Sequence, residues 1–258
     1  MSKIIAIINQ KGGVGKSTTA SAIGAGLILK GYSILLVDLD AQGNLTNTTG
    51  ADSGGITSAD MLSGSASAES AIQHTASGDI IPASPQLYGA DGILTAAGKE
   101  YRLRDALKPV KKRYDYIVVD TPPALGILAI NALTACTGAI IPAQADIYSL
   151  QGISRLYSTI QAVKQHCNSS LKVYGIVLTR YSPRAIVSRD LAEMIQQTAE
   201  RYNTRLFNTA IRESVTIREA QARQMNIFVY APKSKVADDY RALTEEIIKE
   251  TLKGDNIR

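Results

Sequence analysis

Gln10-Lys11-Gly12-Gly13-Val14-Gly15-Lys16-Ser17 lies between a short apolar run, Ile4–Ile8, and a segment rich in small residues, Ser17–Lys30 (STTASAIGAGLILK). The run reads as a buried strand, and the segment as a helix able to lie close against a sheet, with Gly31 at its end. A glycine-rich turn from strand to helix that closes on Lys-Ser is a phosphate loop. Its glycines let backbone N–H groups turn inward around phosphate oxygens, and the helix presents its positive N-terminal end to the same charge. On this reading Gly12, Gly13, Val14, Gly15, Lys16, Ser17 and Thr18 hold the phosphates of a nucleotide. Lys16 reaches the β- and γ-phosphates and the Ser17 hydroxyl ligates Mg2+.

The same rhythm of short apolar strand, turn and helix continues outward. Ser33–Asp38 is a second strand that leaves Asp38 and Asp40 at its C-terminal edge, where ligands of open α/β sheets bind. Further strands are expected at Ile80–Ala83, Tyr116–Asp120, Ala139–Pro142 and Val173–Thr179, with helices near 101–113, 126–135 and 151–166. An amphipathic helix starts at Ser188, and a last one carries Val236, Tyr240, Leu243 and Ile247 at helical spacing. Residues 50–79, rich in Gly, Ser and Ala, read as a flexible cover with one or two short helices. The fold class is α/β: one domain over 1–258, a mostly parallel twisted sheet with helices on both faces.

Composition agrees with a soluble globular chain. Of 258 residues, 45% are hydrophobic and 20% charged, which excludes disorder and collagen-like repetition. Cys136 and Cys167 lack metal-type spacing and read as free thiols of a reducing compartment. No run approaches the ~20 apolar residues of a membrane span, and the N-terminus lacks a signal-peptide pattern, so a cytoplasmic location is expected. The formal charge of +5 is unevenly spread. Residues 1–100 hold five basic and eight acidic side chains, against twenty-three and fifteen in 101–258. Between Arg180 and Lys235 stand ten basic and five acidic residues, eight of the ten being Arg, the side chain suited to multidentate phosphate contacts.

The loop departs from the common pattern at its start: Gln10 stands where a glycine is usual, and a second lysine, Lys11, follows. QKGGVGKS after IIAIIN resembles the deviant Walker A motif of the ParA/MinD class, and the chain resembles the ParA/Soj family of partition ATPases. LLVDLDAQGN (Leu35–Asn44) is similar to that family's second motif, and YDYIVVDTPP (Tyr114–Pro123) to its Walker B segment and the following switch turn. IPASPQLYGAD (Ile81–Asp91) and YAPKS (Tyr230–Ser234) are similar to further family segments. The resemblance implies that Lys11 reaches across an ATP-bound homodimer to the partner's phosphates. It further implies that Asp40 activates the attacking water, that Asp38 and Asp120 join Ser17 at Mg2+, and that Pro232 and the Thr179–Arg180 turn approach the adenine.

Within that class the sequence favours DNA as the anionic partner. A basic membrane-inserting terminal helix of the MinD kind is not expected, because DDYRALTEEIIKETLKGDNIR mixes both signs and its apolar stripe suits packing on the domain. Candidates for sequence-independent DNA contact are Arg184, Arg189, Arg212, Arg218, Arg223, Lys233 and Lys235. With the phosphate loop beginning at residue 11, no N-terminal helix-turn-helix domain is expected. The expectation is a Mg2+-dependent ATPase with slow, partner-stimulated hydrolysis, acting as an ATP-switched, nucleoid-associated dimer that partitions a plasmid or chromosome with a ParB-type partner. A MinD-like positioning ATPase and a regulator of secretion or conjugation are the alternatives.

Overall fold

The computed structural model describes residues 2–182 and 186–253. Seven strands form one sheet: β1 (Lys3–Ile7), β2 (Ile34–Asp38), β3 (Gln73–Thr75), β4 (Gly78–Ile81), β5 (Tyr116–Asp120), β6 (Gly138–Ala143) and β7 (Lys172–Leu178). Their order across the sheet is β3-β4-β2-β5-β1-β6-β7, parallel throughout except for the β3–β4 hairpin at one edge. The helices are α1 (Lys16–Leu29), α2 (Asn44–Thr49), α3 (Ser58–Ser63), α4 (Ala68–Ala71), α5 (Ala90–Ile93), α6 (Arg102–Leu107), α7 (Ile127–Ala135), α8 (Ile147–His166), α9 (Ile186–Arg201), α10 (Val215–Ala222), α11 (Ile227–Tyr230) and α12 (Lys235–Leu252).

Alternation along the central strands sorts the core into two layers. Ile4, Ala6 and Ile8 face one side with Val37, Val119 and Ile141, where α7 and α8 supply Ala132, Leu133, Ile153 and Leu156. Ile5 and Ile7 face the other with Leu36, Val118 and Ile140, covered by Ile23 and Leu27 of α1 and by Val236, Tyr240, Leu243 and Ile247 of α12. Both faces being covered explains why these strands read as unbroken apolar runs.

Residues 50–79 are more ordered than their composition suggests. Thr57 and Asp60 form a capping box at α3, the Ser58 hydroxyl donates to the Asp38 carbonyl at 2.7 Å, and Met61 and Leu62 are buried. From Thr57 on the segment carries α3 and α4, packed on the core through Ala59, Met61, Leu62, Ala68 and Ala71, and then the edge strand β3, while residues 52–56 are exposed. Small side chains give few apolar signals, and here the anchoring comes from hydroxyls bonded to backbone groups.

The sheet register fixes the site. Ile7 pairs with Asp120 across β1–β5, and Asp38 pairs with Asp120 across β2–β5. The ends of three adjacent strands therefore stand in one row, with the phosphate loop leaving the first and a carboxylate ending each of the other two.

Candidate active site

The loop 10–15 is built by backbone geometry. Gly13 and Gly15 take φ of +73° and +85°, values that only glycine adopts without strain, and Gly15 is the N-cap of α1. Three polar anchors hold the loop to the sheet. The buried Asn9 amide donates to the Pro142 carbonyl at 2.6 Å and accepts from the Lys11 N–H at 3.0 Å; the Thr179 hydroxyl donates to the Val14 carbonyl at 2.8 Å. A cleft of about 500 Å3 opens above, lined by the expected Gly12, Gly13, Gly15, Lys16, Ser17, Thr18 and Asp40, by Gln42, Asn44 and Pro123 of the quoted motifs, and by Asn47, Thr48 and Gln221, which no motif pointed to.

The two lysines of the loop are held differently. Lys16 is buried and lines the cleft, and its ammonium donates to the Lys11 carbonyl at 3.2 Å. Burial pushes its pKa down, against the pull of Asp120 and Asp40. Lys11 does not line the cleft. Its ammonium pairs with Asp146 and donates to Gln144 Oε1 at 3.2 Å, both just beyond the end of β6. Asp146 is also the N-cap of α8, accepting from the Ser149 N–H at 2.9 Å. Although burial works against its charge, the Lys11 ammonium and the Ser149 amide hold the Asp146 carboxyl below the usual range. Neither Gln144 nor Asp146 stands out in sequence. Their position one and three residues past β6, the parallel strand beside β1, facing the loop after β1, is the signal that locates them.

The three aspartates play distinct parts. Asp38 is fully buried: one oxygen accepts from the Thr46 N–H at 2.9 Å and the Thr46 hydroxyl at 2.7 Å, the other from the Asp40 N–H at 3.0 Å. Burial raises its pKa to about 6 despite those bonds. Its visible work is to fold the turn that carries Asp40. Asp40 lines the cleft and orders the chain beyond it, taking the Gln42 N–H at 3.0 Å. Asp120 is fully buried with both carboxylate oxygens outside hydrogen-bonding geometry. Burial first, and the neighbouring Asp38 next, push its pKa well above the usual range, while Ser17 and Lys16 act in the opposite sense.

An unpartnered buried carboxylate beside a second one, next to the Ser17 hydroxyl, suits a hard divalent cation. The described residues contain no cluster of three His, Cys, Asp or Glu able to ligate a metal, and Mg2+ needs none, since water and phosphate oxygens complete its shell. The residues present fit that ion, which when bound would neutralise developing phosphate charge.

Thr179 and Arg180 line a second, adjoining cleft of about 170 Å3 together with Glu213, Ser214, Ile217 and Arg218. Pro232 lines neither cleft: it is exposed ahead of α12, where its carbonyl accepts from Arg241 at 2.5 Å. Of the basic candidates, Arg184 lies outside the described residues. Arg189, Arg212, Arg218, Arg223, Lys233 and Lys235 are exposed, but Arg212 forms a two-pronged pair with Asp239 at 2.7 Å on each side.

The sequence pattern of the AAA domain family matches residues 2–173. The sporulation initiation inhibitor protein Soj of Bacillus subtilis is 38% identical over 252 residues, covering 96% of this chain and 98% of Soj. The chromosome partitioning protein ParA of Myxococcus xanthus is 37% identical, covering 96% of this chain and 88% of that protein. The chain belongs to the Soj/ParA family of P-loop ATPases. Among solved structures, cobyrinic acid a,c-diamide synthase from Mycobacterium smegmatis with bound ATP analogue and magnesium superposes with a TM-score of 0.87. It is 33% identical, with 98% of this chain and 97% of that one covered. The Soj/ParA relationship extends over 96% of the chain, well beyond the AAA match, so it takes in α9–α12 and the Arg-rich stretch. Among the described residues no helix is long and apolar enough to cross a membrane.

Proposed function

We propose that this Soj/ParA family member is an ATP-switched dimer that grips DNA without sequence preference and partitions a plasmid or chromosome. The phosphate loop and Lys16 take the triphosphate of ATP, Ser17 and Asp120 hold Mg2+, and Asp38 supports the turn of Asp40. Asp40 accepts a hydrogen bond from the attacking water, in line with the γ-phosphate. The observation that carries the reading is Lys11. It is a second cation in the loop, it stays out of its own cleft, and it is held near the surface by one ion pair and one amide. Such a lysine is available to the phosphates of a second subunit.

Closure of two subunits brings two copies of the Arg-rich surface together at high effective concentration, so ATP controls DNA affinity. A ParB-type partner stimulates hydrolysis, and the ADP form dissociates from the nucleoid. Sedimentation and mobility shift on random duplex DNA, each with ATP, ADP or no nucleotide, test this directly. The expected result is a dimer and a DNA shift with ATP alone. Binding to anionic liposomes in ATP, with no DNA shift, would overturn it. Lys11→Ala should bind ATP yet sediment as a monomer, and Asp40→Ala should dimerise while hydrolysing little.

A further inference from the structure

The phosphate cleft and the smaller cleft beside Thr179 and Arg180 share four lining residues: Gly13, Gly15, Thr18 and Gln221. Three belong to the phosphate loop and the start of α1. Gln221 comes from α10, far along the chain and beyond the AAA match. A nucleotide with its phosphates in the first cleft and its base in the second must pass the shared residues with its sugar. Gln221 is held ready there: its Nε2 donates to the Thr18 hydroxyl at 2.9 Å, and among the described residues nothing donates to its Oε1. Its helix is fixed by the buried Ala220 and by the Ser214 cap on the Thr216 N–H at 3.2 Å.

We propose that Gln221 is a specificity residue for the sugar, its Oε1 accepting a hydrogen bond from a ribose hydroxyl of the bound nucleotide. The assignment rests on the ATP-binding reading above. A side-chain amide suits the task because it donates to Thr18 and accepts from the sugar at once, tying the two together. The helix that makes this contact also carries Arg218, and Arg223 follows at its end, over the Tyr230 ring at 5.6 Å. Sugar recognition would therefore place the nucleotide against the helix that bears one candidate DNA-binding arginine, Arg218, and is followed by another, Arg223.

The test is a titration of the full chain, in Mg2+, with ATP, 2′-deoxy-ATP and 3′-deoxy-ATP, for wild type, Gln221→Met and Gln221→Glu. Methionine keeps the length without the acceptor, and glutamate keeps the acceptor. Wild type should bind one of the two deoxynucleotides roughly 3- to 10-fold more weakly than ATP, the worth of one neutral hydrogen bond. Gln221→Met should lose that discrimination while keeping its ratio of ATP to ADP affinity. Gln221→Glu should keep the discrimination at lower overall affinity, because its charge faces the phosphates. Equal binding of all three nucleotides by wild type, or an unchanged sugar preference in Gln221→Met, would overturn the assignment. Failure of wild type to bind ATP at all would instead overturn the functional reading beneath it.

Discussion

Replacing Asp146 by asparagine isolates the contact that keeps Lys11 within its own subunit. The side chains of the pair are 29% and 31% exposed, so solvent screens the attraction and each pair is worth about 0.5–1 kcal/mol. If Lys11 must leave Asp146 to reach the partner's phosphates, a dimer breaks two such pairs, and the variant is spared about 1–2 kcal/mol. That corresponds to roughly 5- to 30-fold tighter dimerisation in the presence of nucleotide. The substitution is otherwise mild, since asparagine caps a helix as well as aspartate and can still accept from the Ser149 N–H. Sedimentation velocity across a concentration series, with a non-hydrolysable ATP analogue, reads the dimer constant directly. The gain should appear only with the analogue, because without nucleotide both proteins should remain monomeric. A variant that dimerises no better than wild type, or that gains equally with and without nucleotide, would refute the idea that the Asp146 pair competes with dimer closure.

Three further outcomes follow from the contacts described. Asp120→Asn removes a buried charge that has no hydrogen-bond partner, so the nucleotide-free protein should melt about 2–4 °C higher, the equivalent of ~1 kcal/mol, while losing the Mg2+-dependent stabilisation by ATP; thermal scans with and without Mg2+ and ATP read both. Gly138→Ala sets a methyl group against the Tyr174 ring, whose nearest atom lies 2.5 Å from the added carbon, and should cost about 1–3 kcal/mol by denaturant titration with nucleotide affinity unchanged. Arg223→Ala should lower the log–log salt slope of DNA binding by about 1.8, since each dimer loses two phosphate contacts at ~0.9 each, and should do so equally on unrelated DNA sequences in mobility-shift titrations.

The parts of the site legible in sequence are those that depend on local pattern. Gln10–Ser17 needs only a strand before it and a helix after it, and Tyr116–Asp120 reads from its residues alone as the strand it forms. The hairpin β3–β4 was hidden because Gln73-His74-Thr75 is short and polar, and its pairing rests on backbone groups at the sheet edge. Asp38 shows a subtler gap. Its place at the end of β2 is legible, but its partner Thr46 sits eight residues on, across a turn, and only the folded turn shows that both carboxylate oxygens are engaged by protein donors. Asp120, with the same residue type at the same row of the sheet, keeps its oxygens unengaged. Two aspartates alike in sequence thus differ in what they offer a cation.

Charge behaves in the same way at larger scale. Counting places an Arg-rich excess between Arg180 and Lys235, yet several of those cations are already paired. Arg180 meets Glu213, Arg205 meets Glu246 and Glu250, and Arg212 meets Asp239. Three of these four acids belong to α12, 27 to 45 positions further along the chain, so a window over the arginines misses them. The mixed signs of that terminal helix, which argue in sequence against a membrane anchor, have a structural use. They fasten the strand-like segment around 205–212 to the domain, with Glu246 alone accepting from Arg205, the Asn208 and Thr209 amides and the Thr209 hydroxyl. Among the described residues no ion pair engages Arg189, Arg218, Arg223, Lys233 or Lys235. A polyanion would have to strip Arg212 from a well-formed bidentate pair but meets these five outside any ion pair, so the proposed DNA contact should draw on the first turn of α9, on α10 and its C-cap, and on the start of α12 rather than on the loop between α9 and α10.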